Sequence, residues 1–192
     1  MEITEKEEKR SLANPTKFGL AGLAIALFML GLAYAEVIAM SSVVIATIFT
    51  MGFIAPVTAG ILEFVKGNSY RATTLMLFGL FFLTFYIFST RPLNCIAPTR
   101  NTLGVFYIAW AITAAKMLCG IVAKKMGRKN ILLMVILALF TLFLIMIAVS
   151  HFADVRALFI ASGVLALLTA AAIYVDFMIH IVTRIRKDMQ NK

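Results

Sequence analysis

Six stretches of the chain are each long and apolar enough to cross a lipid bilayer, and this pattern restricts the fold more than any other feature. They cover 18–35, 38–65, 71–90, 102–124, 130–150 and 156–183. A hydrocarbon core of about 30 Å is crossed by about 20 predominantly apolar residues in a helix. Inside lipid, every backbone N–H and C=O needs a partner within the protein, so spans of this length are helical. Composition leaves no soluble alternative. The chain is 62% hydrophobic and 14% charged, where soluble domains are roughly a quarter charged. The links between spans are too short for a second domain. The sequence therefore predicts an all-α integral membrane protein, one six-transmembrane-helix bundle over 18–183. A mixed-charge tail, 1–17, precedes it and a basic tail, 184–192, follows it.

The net charge of +9 is a matter of topology. Fourteen Lys and Arg fall in the two tails and the links after the second and fourth spans, while Arg91, Arg100 and Arg156 fall on the other side. Cytoplasmic loops carry the excess of Lys and Arg, so both termini are expected in the cytoplasm of a cell bounded by this plasma membrane. No basic face is interleaved with aromatics, which excludes nucleic acid as a partner. The first 17 residues lack the apolar core and cleavage site of a signal peptide. Cys95 and Cys119 have no metal-binding spacing. His151 and His180 lie near opposite membrane faces. There is no GxSxG, HExxH or phosphate-binding loop, so neither an enzyme nor a metal or other cofactor is expected.

One segment, "AGILEFVKGNSYRATT" (59–74), gathers Glu63, Lys66 and Arg71 around Gly67-Asn68 between two apolar runs. Gly67 suits a left-handed helix cap. Asn68 or Ser69 can cap the following helix, and Lys66 and Arg71 can reach the headgroups. Glu63 and Asp176 lie near the same face, where either can pair with Lys or Arg. Pro56 removes a donor inside the second span, so a kink is predicted, and the freed carbonyl either faces a pore or is satisfied by a threonine hydroxyl, with Thr50 and Thr58 on either side. Gly19, Gly22 and Ala26 on the first span, and Gly52, Ala55 and Ala59 on the second, allow close helix contact. Lys116 lies about 12 Å inside the fourth span. Its stem either snorkels outward or lines a cavity that attracts anions. Asn14-Pro15 either starts the first helix or aims an amide at the mouth of a pathway, beside a helix N-terminus that favours anions.

"LANPTKFGLAG" (12–22) resembles the Asn-Pro-x-x-x-Gly-Leu signature of the acetate uptake transporter family of succinate–acetate permeases. "AGILEFVKGNSYRATTLMLFGLFFLTF" (59–85) is similar to that family's second block, "LGVFYIAW" (103–110) to its fourth helix and "AAAIY" (170–174) to its sixth. The resemblance implies six transmembrane helices per protomer, a pore within each protomer and a homo-hexameric ring. It implies transport of acetate and succinate, by proton symport or as an anion channel. By position, Asn14 would orient the carboxylate. Phe78, with Leu23 and Leu139, would form an apolar narrowing of the kind that gates by dewetting. Pro15, Gly19, Glu63, Gly67, Asn68 and Gly79 would be scaffold, the turn from Glu63 to Asn68 bracing helices two and three. Departures from the family pattern are Thr16-Lys17 for Ala-Pro, Pro56 for glutamine, Phe78 for tyrosine, Phe82 for tryptophan and Lys116 for phenylalanine. They remove polar groups from the path, while Lys116 could restore attraction for an anion. The alternatives are a channel for a neutral solute such as ammonia, urea or a protonated acid, and a non-conducting sensor.

Overall fold

The computed structural model describes residues 14–91, 96–123 and 131–190. These form six helices: α1 Pro15–Tyr34, α2 Ser42–Val65, α3 Ser69–Thr90, α4 Arg100–Ala123, α5 Ile131–Ala153 and α6 Arg156–Gln190. All six are long and apolar enough to cross a membrane, so the protein is a multi-pass membrane protein and the predicted order of spans holds. One boundary differs in kind. α6 continues as helix to Gln190, so most of the basic segment read as a tail extends the last helix. Its 35 residues reach about 52 Å, well beyond a hydrocarbon core of about 30 Å. Most of the N-terminal tail, Cys95 and the basic link 124–130 lie outside the described residues.

With six crossings, the start of α1 and the end of α6 share one face, the terminal face; the other is the opposite face. α1 runs through the interior. Of its apolar span 56% is buried, against 22% for α4, which lies at the rim. α1 packs on α2 and α6, α2 on α3, and α5 between α4 and α6. In lipid this packing depends on close fit rather than on a hydrophobic drive. At Gly22 an added Cβ would stand 2.5 Å from the Met51 carbonyl oxygen and 2.7 Å from the Ala55 Cβ. At Gly163 it would stand 2.3 Å from the Ala35 backbone nitrogen. The two seams of α1 therefore bring backbone against backbone, and a methyl group at either position would force the helices apart.

α2 does not simply kink at Pro56. Residues Ile48–Ile54 are wound as a π-helix, and α-helix resumes at Ala55. The Ala55 N–H bonds the Thr50 carbonyl, a five-residue step. The same step from Met51 leads to Pro56, which has no N–H to give. The Met51 carbonyl faces Gly22 of α1 instead. The threonines expected to satisfy a freed carbonyl serve others: Thr50 Oγ1 donates to Ala46 O at 3.0 Å and Thr58 Oγ1 to Ile54 O at 2.8 Å. One widened turn thus takes up the strain that the sequence predicted as a bend.

Candidate functional site

A narrow cavity lies on the terminal-face side of the bundle, between α1, α3, α5 and α6, with a volume of ≈ 30 Å³. That is room for about two water molecules. Helical spacing sets its walls. Leu20, Leu23 and Leu27 line it from α1, Arg71, Thr74, Leu75 and Phe78 from α3, Leu133, Ile136 and Phe140 from α5, and Thr169 and Ile173 from α6. Steps of three and four residues put each set on one helix face. The inner end is closed by rings: Phe78 meets Phe140 edge-on, centroids 4.8 Å apart at 63°. Leu23 is buried beside them, and Phe140 in turn packs against Phe81 and Phe143.

The polar groups on the wall are mostly committed. Thr16 Oγ1 donates to Glu63 Oε1 at 2.7 Å, Thr74 Oγ1 to Tyr70 O at 2.8 Å and Thr169 Oγ1 to Leu165 O at 2.7 Å. Tyr70, also on the wall, donates its hydroxyl proton to Met117 O. Each hydroxyl carries one proton, so these four have none left to offer a ligand. Arg71 is the charged residue on the wall, half-buried, and it forms no ion pair with any described residue.

Of the residues expected along a path, the structure brings two together: Leu23 and Phe78. Leu139 is half-buried and off the cavity, and its neighbour Phe140 takes the inward position. Lys116 is exposed on α4, a helix that contributes nothing to the cavity wall. Asn14 stands at the N-cap of α1, half-buried, its side chain making no capping bond. The residues sequence reasoning did not place on a path are Phe140, Arg71 and the threonines. For Phe140 the sequence offers no signal over its neighbour Leu139, because residues 131–140 are all apolar.

The scaffold residues form a bracket. Glu63 is 1% exposed. Its Oε1 accepts from the Thr16 N–H at 3.2 Å as well as the Thr16 hydroxyl, and its Oε2 accepts from Asn68 Nδ2 at 2.6 Å. A carboxylate thus sits at the positive end of α1, directly behind Pro15 in the first turn. It occupies the place where an anion was expected near Asn14. Asn68 N–H bonds Glu63 O and Gly67 N–H bonds Phe64 O, with Gly67 at φ +77°, which is the Schellman arrangement. Asn68 is the N-cap residue of α3, yet its side chain goes to Glu63 rather than to that helix. Gly19 packs on Ala59, and Gly79 against Val57 and the Phe53 carbonyl. Close by, Lys17 pairs with Asp176, both mostly buried.

The opposite face is built differently. Glu36, Arg100, Ser150, His151, Asp154, Arg156 and Phe159 surround a shallow cleft. Arg156 Nε donates to both Glu36 oxygens, at 3.1 and 3.0 Å, and Arg100 pairs with Asp154. His151 lies flat on Tyr107, centroids 5.5 Å apart at 6°. Beneath it the hydroxyls of Tyr34 and Tyr107 bond at 2.8 Å inside the aromatic core.

Residues 2–188 match the sequence profile of the GPR1/FUN34/yaaH family. The chain is 32% identical over 111 residues to the succinate-acetate/proton symporter SatP of Escherichia coli, an alignment that covers 57% of this chain and 59% of that protein. It is 26% identical over 182 residues to ammonia transport outward protein 2 of Saccharomyces cerevisiae, covering 90% of this chain and 62% of that one. The chain therefore spans about three fifths of the length of these curated relatives. Its fold is similar to the solved structure of the bacterial acetate channel SatP, with a TM-score of 0.83 and 26% identity over 90% of this chain and 94% of that chain.

Proposed function

The chain belongs to the GPR1/FUN34/yaaH family, and on that premise we propose that it passes small carboxylates, acetate first and succinate with it, across the plasma membrane. The observation that carries this reading is the likeness in fold to the bacterial acetate channel over 90% of the chain. The geometry supports it. An anion would enter at the terminal-face mouth and meet an apolar neck at Leu23, Phe78 and Phe140. A charge stripped of water there is costly, so the neck holds the path closed until ring rotation lets water thread it. On this reading the packed rings of Phe78 and Phe140 must part for an anion to pass. The acidic groups nearby are engaged: Glu63 with Thr16 and Asn68, Asp176 with Lys17. That favours passage of the anion over a proton relay through either side chain. We further propose a homo-hexamer with both termini cytoplasmic, in which the outward apolar faces of α2 and α4 meet lipid or neighbouring protomers. The chemistry on this reading is transport, not catalysis.

The test is labelled acetate uptake into proteoliposomes, with membrane potential and pH gradient set independently. Flux that follows the potential without a pH gradient supports the anion channel. Flux that requires an inward proton gradient instead makes it a symporter. Phe78→Ala should widen the neck and raise acetate flux, with a proportionally larger rise for the bulkier succinate. A second reading, passage of a neutral solute such as ammonia, has one observation in its favour: the wall hydroxyls have no proton left for a carboxylate. Conduction of the neutral species with no acetate flux in either gradient would replace the first reading with the second.

A further inference from the structure

We infer that Arg71 sets the charge selectivity of the passage: it is the group that concentrates carboxylate anions at the terminal-face mouth and ranks them by charge. This rests on the transport reading above and adds the residue responsible for it. The argument is one of elimination on the cavity wall. A carboxylate entering an apolar cavity needs donors or positive charge to replace its water. The walls offer four hydroxyls, and each gives its proton elsewhere: Thr16 to Glu63, Tyr70 to Met117 O, Thr74 to Tyr70 O and Thr169 to Leu165 O. Arg71 lines the same cavity and has no ion-pair partner among the described residues. Its acidic neighbour Glu63 is near enough for the two charges to attract, but Glu63 gives its oxygens to Thr16 and Asn68 as hydrogen-bond acceptors. The guanidinium carries five donors and a positive charge.

Position supports the assignment. Arg71, Thr74, Leu75 and Phe78 share one face of α3. Seven residues of helix set Arg71 about 10 Å outward from the Phe78 neck, close enough to hold an anion before it enters and too far to trap it in the neck. Among the described residues, two other candidate cations are placed elsewhere. Lys116 is exposed on α4, off the cavity, and Lys17 is paired with Asp176.

A fixed charge acts on ligands in proportion to their own charge, which separates this role from a structural one. Coulomb's law for a unit charge about 6 Å away in water gives roughly a threefold effect on a monoanion and roughly a tenfold effect on a dianion. The experiment measures half-saturation for acetate, and the inhibition of acetate flux by succinate, in proteoliposomes of the parent, Arg71→Gln and Arg71→Lys. In Arg71→Gln, half-saturation should rise about threefold and the succinate inhibition constant about tenfold. The maximal flux should change little, and both shifts should shrink as ionic strength rises. Arg71→Lys should stay close to the parent on both. Unchanged constants in Arg71→Gln would overturn the inference while leaving acetate transport intact. Equal losses for the two anions, or a loss confined to maximal flux, would overturn it in favour of a structural role. Absence of acetate flux in the parent protein would overturn the transport reading and this inference with it.

Discussion

The two ends of the bundle carry similar charged groups and use them in opposite ways. At the terminal face Glu63 is 1% exposed, and its two oxygens receive three hydrogen bonds from α1 and the turn before α3. At the opposite face the Glu36–Arg156 and Arg100–Asp154 pairs stand in solvent, with side chains 37% to 79% exposed. A buried carboxylate with every partner in place fixes the helices it joins, because breaking any one bond strands a polar group away from water. An exposed pair is worth little and can exchange partners freely. Rigidity is therefore concentrated where Arg71 faces the cavity, and looseness where His151 and the two arginines surround a shallow cleft. The lesson is that charge count per face says where the membrane ends, and burial says which end is built to hold its shape.

The largest test of that contrast is Glu63→Ala. It leaves the Thr16 N–H, the Thr16 hydroxyl and the Asn68 amide without their acceptor. Buried donors left unpaired cost about 1–3 kcal/mol each, so a total loss of roughly 3 kcal/mol is expected after partial relaxation. The measurement is the thermal midpoint of the detergent-solubilised protein, followed by size-exclusion elution. Glu63→Gln should fall in between, since its carbonyl still accepts from Thr16 while its amide meets the Asn68 amide donor to donor. A Glu63→Ala protein as stable as the parent would remove the distinction between the two ends.

Much of this fold was legible in the sequence because lipid imposes one period and one length on every span. The six helices and the Gly67 cap follow from apolar runs and a single glycine between charges. The π-helical turn at Ile48–Ile54 was not legible. Pro56 announced a lost donor, but the answer depends on Gly22 of another helix standing close enough to face the Met51 carbonyl. The site was legible only in part, for the same reason. Leu23 and Phe78 both lie on the wall of one cavity, but whether Leu139 or Phe140 points inward is a question of helix rotation. An all-apolar helix gives little sequence guide to that. The sequence marked Lys116, inside a span, as the candidate for an anion-attracting cavity and left Arg71 as a turn residue reaching the headgroups. Only the packing places α4 at the rim and α3 against the cavity.

Gly67→Val sharpens the comparison within the rigid end, because it strains the turn without removing a bond. An added Cβ at Gly67 would meet nothing within 4 Å, so crowding is not the issue. The cost comes from φ +77°, which a branched side chain adopts at a penalty of about 1–2 kcal/mol. The bracket should survive in weakened form, with a smaller fall in thermal midpoint than Glu63→Ala and a partial loss of both assembly and flux. Gly67→Asn should lose less than Gly67→Val, since asparagine tolerates this conformation. Normal assembly with normal flux in Gly67→Val would mean that the turn adjusts freely and that Glu63 alone holds the bracket.

The smallest effect belongs to the loose end. Hydrogen bonds from Arg156 hold the Glu36 carboxyl below its usual range, and Glu36 is exposed. A depressed carboxylate contributes stability above its unfolded pKa and loses it as the pH falls through the folded one. The pair should therefore be intact from pH 7 down to about pH 5, and fail only below the ordinary glutamate value of about 4.3. Glu36→Gln should lower the thermal midpoint slightly at neutral pH, less than either variant above. That difference should close as the pH is taken below the carboxylate range, because protonation then does to the parent what the substitution did. A difference that persisted undiminished well below the carboxylate range would mean that Glu36 resists protonation by more than an exposed pair can supply. The opposite face would then be a second rigid end, and the contrast between the two mouths would fail.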